Sequence, residues 1–452
     1  MKLAVIGLDG ASFNLLDKWW GSLPNLRKLY DNGLRAKLRC ELPPCTSPNW
    51  MCYATGKNPG KLGRYWWHNI DWVNHTSDIG VEPLGDPKFL WDYLPGKIGV
   101  AGIPTMDSPI GLNGFMLTGG LAYLSSHPIG AAQIAKWKSL PRGMLNVNRQ
   151  DTSQEIIEII SNQFKGVLEL SRRYNIDFLH LTIFSINLMH HFLWDSKETK
   201  AAWEAIDYWV GQYLEICDNI ILMSDHGSGP VGRVFNINTW LQEKGFLKLQ
   251  PDLKYRLFKL GISQQRIAGI LSNLGLLNIT KKFTKSSMRQ SLPDSQEGIR
   301  FVGNEHLVDW HNSIAVASGQ GLLYTNPYVQ DELEVMRLID ALNKEKGVVR
   351  NLYHRAEIYK GPYVRQGPEF IIDYEDGIHI PGGFGHKRPF VKPGDWAAEN
   401  QRYGIFVARG KDITNTGSLG EVSILDLAPT ILKMFGIDKP EDMDGKELPM
   451  TR

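Results

Sequence analysis

The chain has 452 residues, of which 42% are hydrophobic and 22% are charged, and its formal net charge is +2 at pH 7. A single hydrophobic core stops growing at roughly 250–300 residues, so this length predicts a large domain with an inserted or appended part. The composition excludes a disordered chain, and so weak a net charge gives no basis for general nucleic-acid or membrane-surface binding.

The cysteine content and the length of the apolar runs exclude further classes of protein. The four cysteines form no CxxC pair, which argues against a disulfide framework in a chain of this size. The apolar run near the amino terminus is interrupted by Asp9 and is too short for a signal peptide. No run approaches the ~18 apolar residues of a membrane span. We therefore expect a cytoplasmic protein.

The first half of the chain alternates between predicted strands and helices. Continuous apolar runs at residues 3–8, 177–184 and 219–223 are typical of strands that are buried on both faces of a parallel sheet. Helical spacing of apolar residues between them predicts helices near residues 23–31, 154–173 and 200–216. This alternation predicts an α/β layered fold.

The middle of the chain has a different character. Residues 251–277 show amphipathic helical spacing, and residues 280–298 are polar, basic and Ser-rich, which indicates a loop or lid. The α/β pattern resumes after His311, with a helix at 329–344, short strands near 370–372 and 404–408, and a last helix from about residue 425. We predict a catalytic core at 1–240 and 300–452 around a mixed, mostly parallel sheet, with a smaller helical cap at 241–299.

Acidic and imidazole side chains follow two of the predicted strands directly. Asp9 comes after the first strand, and Asp225-His226 comes after the third. Ligand-binding residues of parallel sheets collect just beyond the carboxyl ends of the strands. An isolated aspartate there is more often a turn or cap residue, whereas an adjacent carboxylate and imidazole suit zinc, manganese or iron. The sequence thus indicates a metal half-site.

Further candidate ligands follow the second strand and lie late in the chain. Asn187 and His191 are four residues apart, which places them on one face of a helix. His386 lies in a glycine-rich stretch. On their own, neighbouring histidines such as His190 and His191 more often face solvent or cap a helix, and His386 is equally consistent with a surface loop.

Two hydroxyl side chains, Thr46 and Ser47, stand in a turn braced by Pro43, Pro44 and Pro48. Prolines fix the backbone, which suits a nucleophile that must be held in position. The alternative is an ordinary turn before a helix, with one of the two hydroxyls as its N-cap.

Several longer segments occur in a fixed order along the chain. They are VIGLDGAS at the start, PPCTSPNW, ATGKNPGKLG at 54–63, HFLW at 191–194, SDHGSGP, FGHKRP, ILDLAPTIL and DMDGKEL. In this order, and over nearly the whole length, they resemble the alkaline phosphatase superfamily, in particular its type I phosphodiesterase and nucleotide pyrophosphatase branch. The resemblance implies an alkaline-phosphatase-like α/β sandwich.

The resemblance also implies roles for individual residues. Thr46 is the expected nucleophile rather than Ser47, because the family pattern places the nucleophile three residues before Asn49. Asn49 is expected to hold a non-bridging phosphate oxygen. The implied ligands are Asp9, Thr46, Asp225 and His226 at one metal ion, and Asn187, His191 and His386 at a second. Two ions about 3.5–4 Å apart stabilise both the attacking and the leaving oxygen of an in-line displacement.

Asn187 departs from the family pattern, which has aspartate at this position. The substitution removes one negative charge, although the amide oxygen can still ligate a metal weakly. The second ion is then bound more loosely, or His190 takes over as ligand, or the site holds one ion only. A smaller departure is Leu62, where relatives often carry histidine.

The sequence therefore predicts a metal-dependent hydrolase of a phosphodiester or phosphoanhydride that acts through a covalent phosphothreonine. The expected substrate is a small phosphorylated metabolite, for example a nucleotide-linked one, with no nucleic-acid or membrane partner. Zinc is the expected metal at both sites, with Mn, Mg or Ca as alternatives at the Asn187 site. Two alternatives stay open. One is a phosphomonoesterase or phosphoryl transferase of the same superfamily, and the other is a protein that binds a phosphorylated ligand without hydrolysing it.

Overall fold

The structure is a computed structural model that describes residues 1–78, 83–106, 108–119, 125–137, 149–260, 298–328 and 332–450. Its centre is a nine-stranded sheet. In chain order the strands of this sheet are β1 (Leu3–Leu8), β2 (Leu34–Arg39), β3 (Ile98–Ala101), β4 (Gly114–Leu117), β5 (Ser126–His127), β6 (Phe178–Ile183), β7 (Asn219–Met223), β8 (Tyr403–Gly410) and β9 (Gly417–Ser423).

The spatial order of the sheet is β9-β2-β8-β7-β1-β6-β3-β4-β5. Strands β7, β1, β6, β3 and β4 form an uninterrupted parallel run. Strand β8 is antiparallel to both of its neighbours, and β5 is antiparallel to β4. The predicted mixed, mostly parallel sheet is confirmed, and so are the three predicted apolar strands.

Helices cover both faces of this sheet. The α-helices of all the described residues are Phe13–Leu16, Pro24–Asn32, Thr46–Thr55, Pro59–Leu62, Ala131–Ile134, Arg149–Tyr174, Ser185–Leu193, Lys197–Leu214, Ile237–Glu243, Leu253–Lys259, Glu332–Asn343, Arg355–Ile358 and Leu427–Met434. Short 3₁₀ turns occur at Trp20–Ser22, Leu90–Asp92, Glu305–Leu307, Val364–Gln366 and Ile424–Asp426. None of these helices is long and apolar enough to cross a membrane.

The core is divided by the sheet into two apolar layers. Ala4, Ile6 and Leu8 of β1 pack into one layer, and the alternate residues Leu3 and Val5 pack into the other. Because both faces are covered by helices, every residue of β1 is buried. This double burial explains why β1, β6 and β7 read as continuous apolar runs.

A second, four-stranded sheet lies outside the central one. Its strands are Ala315–Gly319, Leu322–Thr325, Phe370–Tyr374 and Val349–His354 in spatial order, and all three of its pairings are antiparallel. It has its own apolar cluster, to which Trp240 and Phe384 contribute. The remaining strands are short: Ile70–Asp71 with Thr76–Ser77, Gly227–Pro230 with Ala398–Gln401, and Arg233–Phe235 between Ile378–His379 and Phe390–Val391.

Of the predicted cap at 241–299, the structure describes residues 241–260 and 298–299. Helix Leu253–Lys259 falls within the predicted amphipathic stretch. The predicted loop or lid lies outside the described residues except for Gly298. The division of the chain into a core and this cap stays a prediction.

Candidate metal centre and nucleophile

Strand register brings three parts of the chain to one edge of the central sheet. Leu8 of β1 is level with Ile183 of β6, and Gly7 is level with Met223 of β7. The residues that follow these strands therefore emerge side by side. Asp9, helix Ser185–Leu193 and Asp225 all start from this edge, as expected for ligand-binding residues of a parallel sheet.

Asp9, Asp225 and His226 form a compact, fully buried cluster. One potential ligand atom from each residue lies within 4.8 Å of the other two. His226 Nε2 is 3.2 Å from Asp225 Oδ2 and 3.7 Å from Asp9 Oδ1. Gly10, in a left-handed turn with φ +66°, donates its backbone N–H to Asp225 Oδ1 at 3.2 Å. The turn after β1 thus ties the two carboxylates together.

The donor set fits a divalent cation. His226 Nδ1 lies 2.8 Å from the Gly227 carbonyl, which can only accept a hydrogen bond, so Nδ1 carries a proton and the neutral form of the ring presents a lone pair at Nε2. This lone pair faces Asp225 Oδ2, which has no hydrogen-bond partner in the described part of the chain. Two lone pairs at 3.2 Å repel each other unless a cation or a proton lies between them.

The pKa shifts of the Asp9 and Asp225 carboxyls also favour a bound cation. Burial raises the pKa of Asp9 well above its usual value, and the neighbouring Asp225 raises it further. Burial also raises the pKa of Asp225, against the lowering effect of His226. Both shifts record the cost of burying a carboxylate, to which Asp225 adds repulsion at Asp9, and a bound divalent ion would offset this cost.

Thr46 lies directly beside this cluster. Its Oγ1 is 3.1 Å from His226 Nε2 and 3.5 Å from Asp9 Oδ1. Thr46 is the first residue of helix Thr46–Thr55, and the N-cap is Cys45, so neither hydroxyl of the pair has the capping role. Ser47 Oγ donates instead to the Trp66 carbonyl at 3.3 Å. The first N–H groups of the helix lack intrahelical acceptors and favour an anion at this position.

Asn187 and His191 both lie on helix Ser185–Leu193 and are buried. His191 Nδ1 donates to the Ala398 carbonyl at 2.8 Å, which leaves Nε2 as the free ring nitrogen. Burial lowers the pKa of His191 to about 4, so the ring is neutral and able to ligate a metal at neutral pH. The Asn187 amide lies close enough to Asp9 to lower the pKa of that carboxyl by hydrogen bonding.

His386 contacts the cap side of the chain. Its ring packs edge-on against Phe258 with centroids 6.0 Å apart, and a Cβ added to Gly298 would fall 2.7 Å from its Nε2. Its carbonyl accepts from Lys259 Nζ at 2.9 Å. The pairing of His386 with His191 at a second ion stays a prediction.

Asn49 is fully engaged with the backbone. Its Nδ2 donates to the carbonyls of Glu41, Pro43 and Cys45 at 2.9–3.1 Å, and its Oδ1 accepts from the Glu41 N–H at 2.8 Å. The side chain therefore fixes the loop that presents Thr46. A phosphate contact from Asn49, as predicted, would require one of these bonds to break.

A family model described as "Type I phosphodiesterase / nucleotide pyrophosphatase" matches residues 3–401. The chain belongs to this family. As a member of the type I phosphodiesterase/nucleotide pyrophosphatase family it is a phosphoesterase-type hydrolase of the alkaline phosphatase superfamily, whose members typically depend on divalent metal ions. A comparison with curated proteins gave no match.

Solved structures support the same fold. Phosphonoacetate hydrolase from Sinorhizobium meliloti 1021 is 12% identical with a TM-score of 0.59, over 96% of this chain and 95% of that one. Murine ectonucleotide pyrophosphatase/phosphodiesterase 5 is 15% identical with a TM-score of 0.53, over 97% and 96%. A mutant of alkaline phosphatase PafA is 13% identical with a TM-score of 0.55, over 99% and 98%. At these identities the likeness establishes the fold alone.

Three residues around this phosphodiesterase-family site were not identified from the sequence. Trp50 Nε1 donates to Asp9 Oδ2 at 2.8 Å, and Trp396 stacks on the His191 ring at 4.1 Å. Ser228 lies with Asn187 beside Gly10. Trp50 and Ser228 each stand within four residues of a predicted site residue, and this proximity is the one signal that the sequence offered.

The aromatic segment after the nucleophile helix packs mainly against protein. His68 contacts Trp66 with ring centroids 4.4 Å apart on one side and Phe301 at 6.2 Å on the other. Burial lowers the pKa of His68 to about 4. These ring contacts indicate that the aromatic segment at 65–68 packs against other parts of the protein.

Proposed function

We propose that this protein hydrolyses a phosphodiester or phosphoanhydride bond by transfer to Thr46, with release of the product by water. The observation that carries the proposal is the position of Thr46 Oγ1, 3.1 Å from His226 Nε2 and 3.5 Å from Asp9 Oδ1, at the amino terminus of a buried helix. A hydroxyl is a weak nucleophile at its ordinary pKa, and this placement is the one that activation by a metal requires.

Asp9, Asp225 and His226 would hold one divalent ion next to Thr46. Asn187, His191 and His386 would hold the second. Zinc is the proposed metal, with Mn, Mg or Ca as alternatives at the Asn187 site. A bound divalent ion lowers the pKa of a coordinated hydroxyl and neutralises charge on the phosphoryl oxygens.

Side chains around the site orient Thr46 and its neighbour Asp9. Asn49 holds the loop before Thr46, and Trp50 orients Asp9 by its hydrogen bond. The amino terminus of helix Thr46–Thr55 would favour the negative charge of a phosphate beside Thr46. Thr46 Oγ1 forms a bond to phosphorus while the bond to the leaving oxygen breaks. Water then attacks phosphorus and regenerates the Thr46 hydroxyl.

A small phosphorus-containing substrate is consistent with the related proteins. Murine ectonucleotide pyrophosphatase/phosphodiesterase 5 has been described in complex with AMP, in a variant in which one threonine is replaced by alanine and which is called inactive. The Sinorhizobium hydrolase has been described with phosphonoacetate and phosphonoformate. We propose a small phosphorylated metabolite, for example a nucleotide-linked one, as the substrate here.

The test compares Thr46→Ala with Ser47→Ala on an aryl phosphodiester and an aryl phosphomonoester. Thr46→Ala should lose turnover by at least about 10³-fold while keeping its metal content. Ser47→Ala should retain most of the activity, since its hydroxyl bonds a backbone carbonyl. Full activity in Thr46→Ala would overturn the assignment. A higher rate on the monoester would identify a phosphomonoesterase, and tight ligand binding without turnover in the wild type would identify a binding protein.

A further inference from the structure

The half-buried indole of Trp396 covers a face of the His191 ring. The two rings are stacked, with their centroids 4.1 Å apart and their planes inclined at 25°. Phe192, the residue after His191, packs edge-on against the same indole at 5.2 Å. A histidine ring has a broad range of rotation about the bond that joins it to Cβ, and a flat neighbour in contact with its face narrows that range. The stack therefore fixes the plane of the His191 ring.

The backbone beside Trp396 holds His191 as well. The ring Nδ1 of His191 donates to the Ala398 carbonyl at 2.8 Å, and the backbone carbonyl of His191 accepts from the Ala397 N–H. The hydrogen bond to Ala398 selects Nε2 as the nitrogen that carries a lone pair, whereas the stack on Trp396 determines the plane in which this lone pair lies. Residues 396–398 thus hold His191 by three separate contacts.

Glu399 anchors the Trp396 indole. This carboxylate is 2% exposed, and its Oε2 accepts hydrogen bonds from Trp396 Nε1 at 3.2 Å and from His379 Nδ1. Its Oε1 accepts from the Asn400 N–H at 2.8 Å and from Gln320 Nε2 at 3.3 Å. Burial raises the pKa of Glu399, but the neighbouring His379 and these hydrogen bonds lower it to about 2, so the group is ionised at neutral pH. Four donors from separate parts of the chain hold the carboxylate, and through it the indole, in one place.

The strand that carries Glu399 also lies beside the first metal half-site. Strand Ala398–Gln401 is antiparallel to strand Gly227–Pro230, and the latter begins directly after His226. The same pair of strands therefore joins His226 to the residues that hold His191. Because hydrogen-bonded strands keep a fixed spacing, this pair sets the position of one histidine relative to the other.

We propose that Trp396 is a positioning residue that fixes the direction of the His191 Nε2 lone pair, and that Glu399 acts on His191 through Trp396. The proposal rests on the proposed function, in which His191 is a metal ligand. It adds no ligand and no reacting group. Residues that orient a ligand in this way commonly change the metal affinity of a site by about 10- to 100-fold when they are replaced.

The first measurement uses the metal-free, full-length protein, so that it depends neither on turnover nor on the number of bound ions. NMR of protein with ¹⁵N-labelled histidine follows the exchange of the His191 Nδ1 proton with solvent, and the signal is assigned by its loss in His191→Gln. Trp396→Leu should accelerate this exchange at least about tenfold, because the ring is no longer held in the plane that its hydrogen bond to Ala398 requires. An unchanged exchange rate would overturn the proposal.

Trp209→Leu is the matched control. Trp209 is another half-buried tryptophan, on helix Lys197–Leu214, and its ring contacts are with Phe164 at 6.5 Å and Tyr208 at 5.3 Å. This substitution removes a similar indole without touching the stack on His191, so the exchange rate should equal that of the wild type. Equal acceleration in both variants would show that general loss of stability is responsible, which contradicts a positioning role for Trp396.

Two milder variants test the role of Glu399 and keep the proposal testable if Trp396→Leu folds poorly. Trp396→Phe keeps an aromatic face on His191 but removes the hydrogen bond to Glu399, and Glu399→Gln removes the carboxylate. Each should accelerate the same exchange by about three- to tenfold. The double variant should exchange no more than about twofold faster than Glu399→Gln alone, because both substitutions break one hydrogen bond. Fully additive effects would show that Glu399 does not act through Trp396.

Calorimetric titration of the metal-free protein with Zn²⁺ connects the ring to the ion. Trp396→Leu should weaken binding of the ion at His191 by at least about tenfold, and Trp209→Leu should bind as the wild type does. Equal zinc affinities in Trp396→Leu and the wild type would contradict the positioning role. Activity of Thr46→Ala tests the proposed function separately.

Discussion

The hydrogen bond from Trp50 to Asp9 is the contact whose loss should change metal binding most selectively. Trp50 is fully buried one helical turn after Thr46, and its Nε1 is 2.8 Å from Asp9 Oδ2. Replacement of Trp50 by Phe keeps an aromatic ring in the same place but removes the donor. Asp9 must then face the ion with one oxygen buried and unpaired.

The size of the effect follows from two contributions. The change from indole to benzene removes two ring carbons, which at about 0.8 kcal/mol each costs about 1.5 kcal/mol of folding free energy. A hydrogen bond to a charged group contributes about 1.5–3 kcal/mol. This second contribution is fully present only when Asp9 is ionised, as it is around a bound cation. The metal affinity of Trp50→Phe should therefore fall about 10- to 150-fold.

The control for packing is Trp91→Phe. Trp91 is 1% exposed and packs in the same apolar layer as Trp50, but its Nε1 has no hydrogen-bond partner within the described residues. Both variants would be compared by calorimetric titration of the metal-free protein and by urea unfolding. Trp91→Phe should lose about 1.5 kcal/mol of stability and no metal affinity. Equal metal affinities in the two variants would refute the reasoning.

Two further predictions follow from buried groups near the sheet. Gly10→Ala would place a Cβ 2.5 Å from Asn187 Oδ1 at a φ of +66°. The free energy of unfolding should therefore fall by about 1–3 kcal/mol, and elemental analysis should show a lower metal content. Unchanged metal content would show that the turn tolerates a side chain. His180 is hydrogen-bonded to Tyr53 and Thr182, and burial lowers its pKa from 6.5 to about 3. As the pH falls below about 6.5, the unfolded chain therefore takes up a proton at His180 that the folded chain does not, and the free energy of unfolding decreases. Urea unfolding should show about 2 kcal/mol less stability at pH 5 than at pH 7 from this residue, and His180→Gln should reduce that difference.

The sequence predicted the parts of the fold whose residues are buried on both faces. Strands β1, β6 and β7 could be identified because each is a continuous apolar run. Strand β2, with the sequence LRAKLR, alternates apolar and basic residues and was missed, since its exposed Lys37 and half-buried arginines made it resemble a polar connection. The four-stranded sheet was largely missed because its strands are short and lie far apart in the chain.

The predicted site was limited by contacts that no local pattern encodes. Asp9, Asp225 and His226 could be predicted as neighbours because each follows a strand of one parallel sheet. Asn49 was assigned a phosphate contact from the family resemblance, but the backbone carbonyls that it binds became visible only in three dimensions. The placement of Asn187 and Ser228 against Gly10 depends on the path of the turn after β1.

Strand β8 has a consequence for how the protein becomes active during synthesis. In the sheet, β2 is hydrogen-bonded to β7 only through β8, which comes from residues 403–410. Thr46 follows β2, whereas Asp225 and His226 follow β7. On a ribosome, the first 226 residues can contain every group of the first metal site and still lack the strand that joins its two halves. A chain that is released early should therefore be unable to assemble a reactive centre.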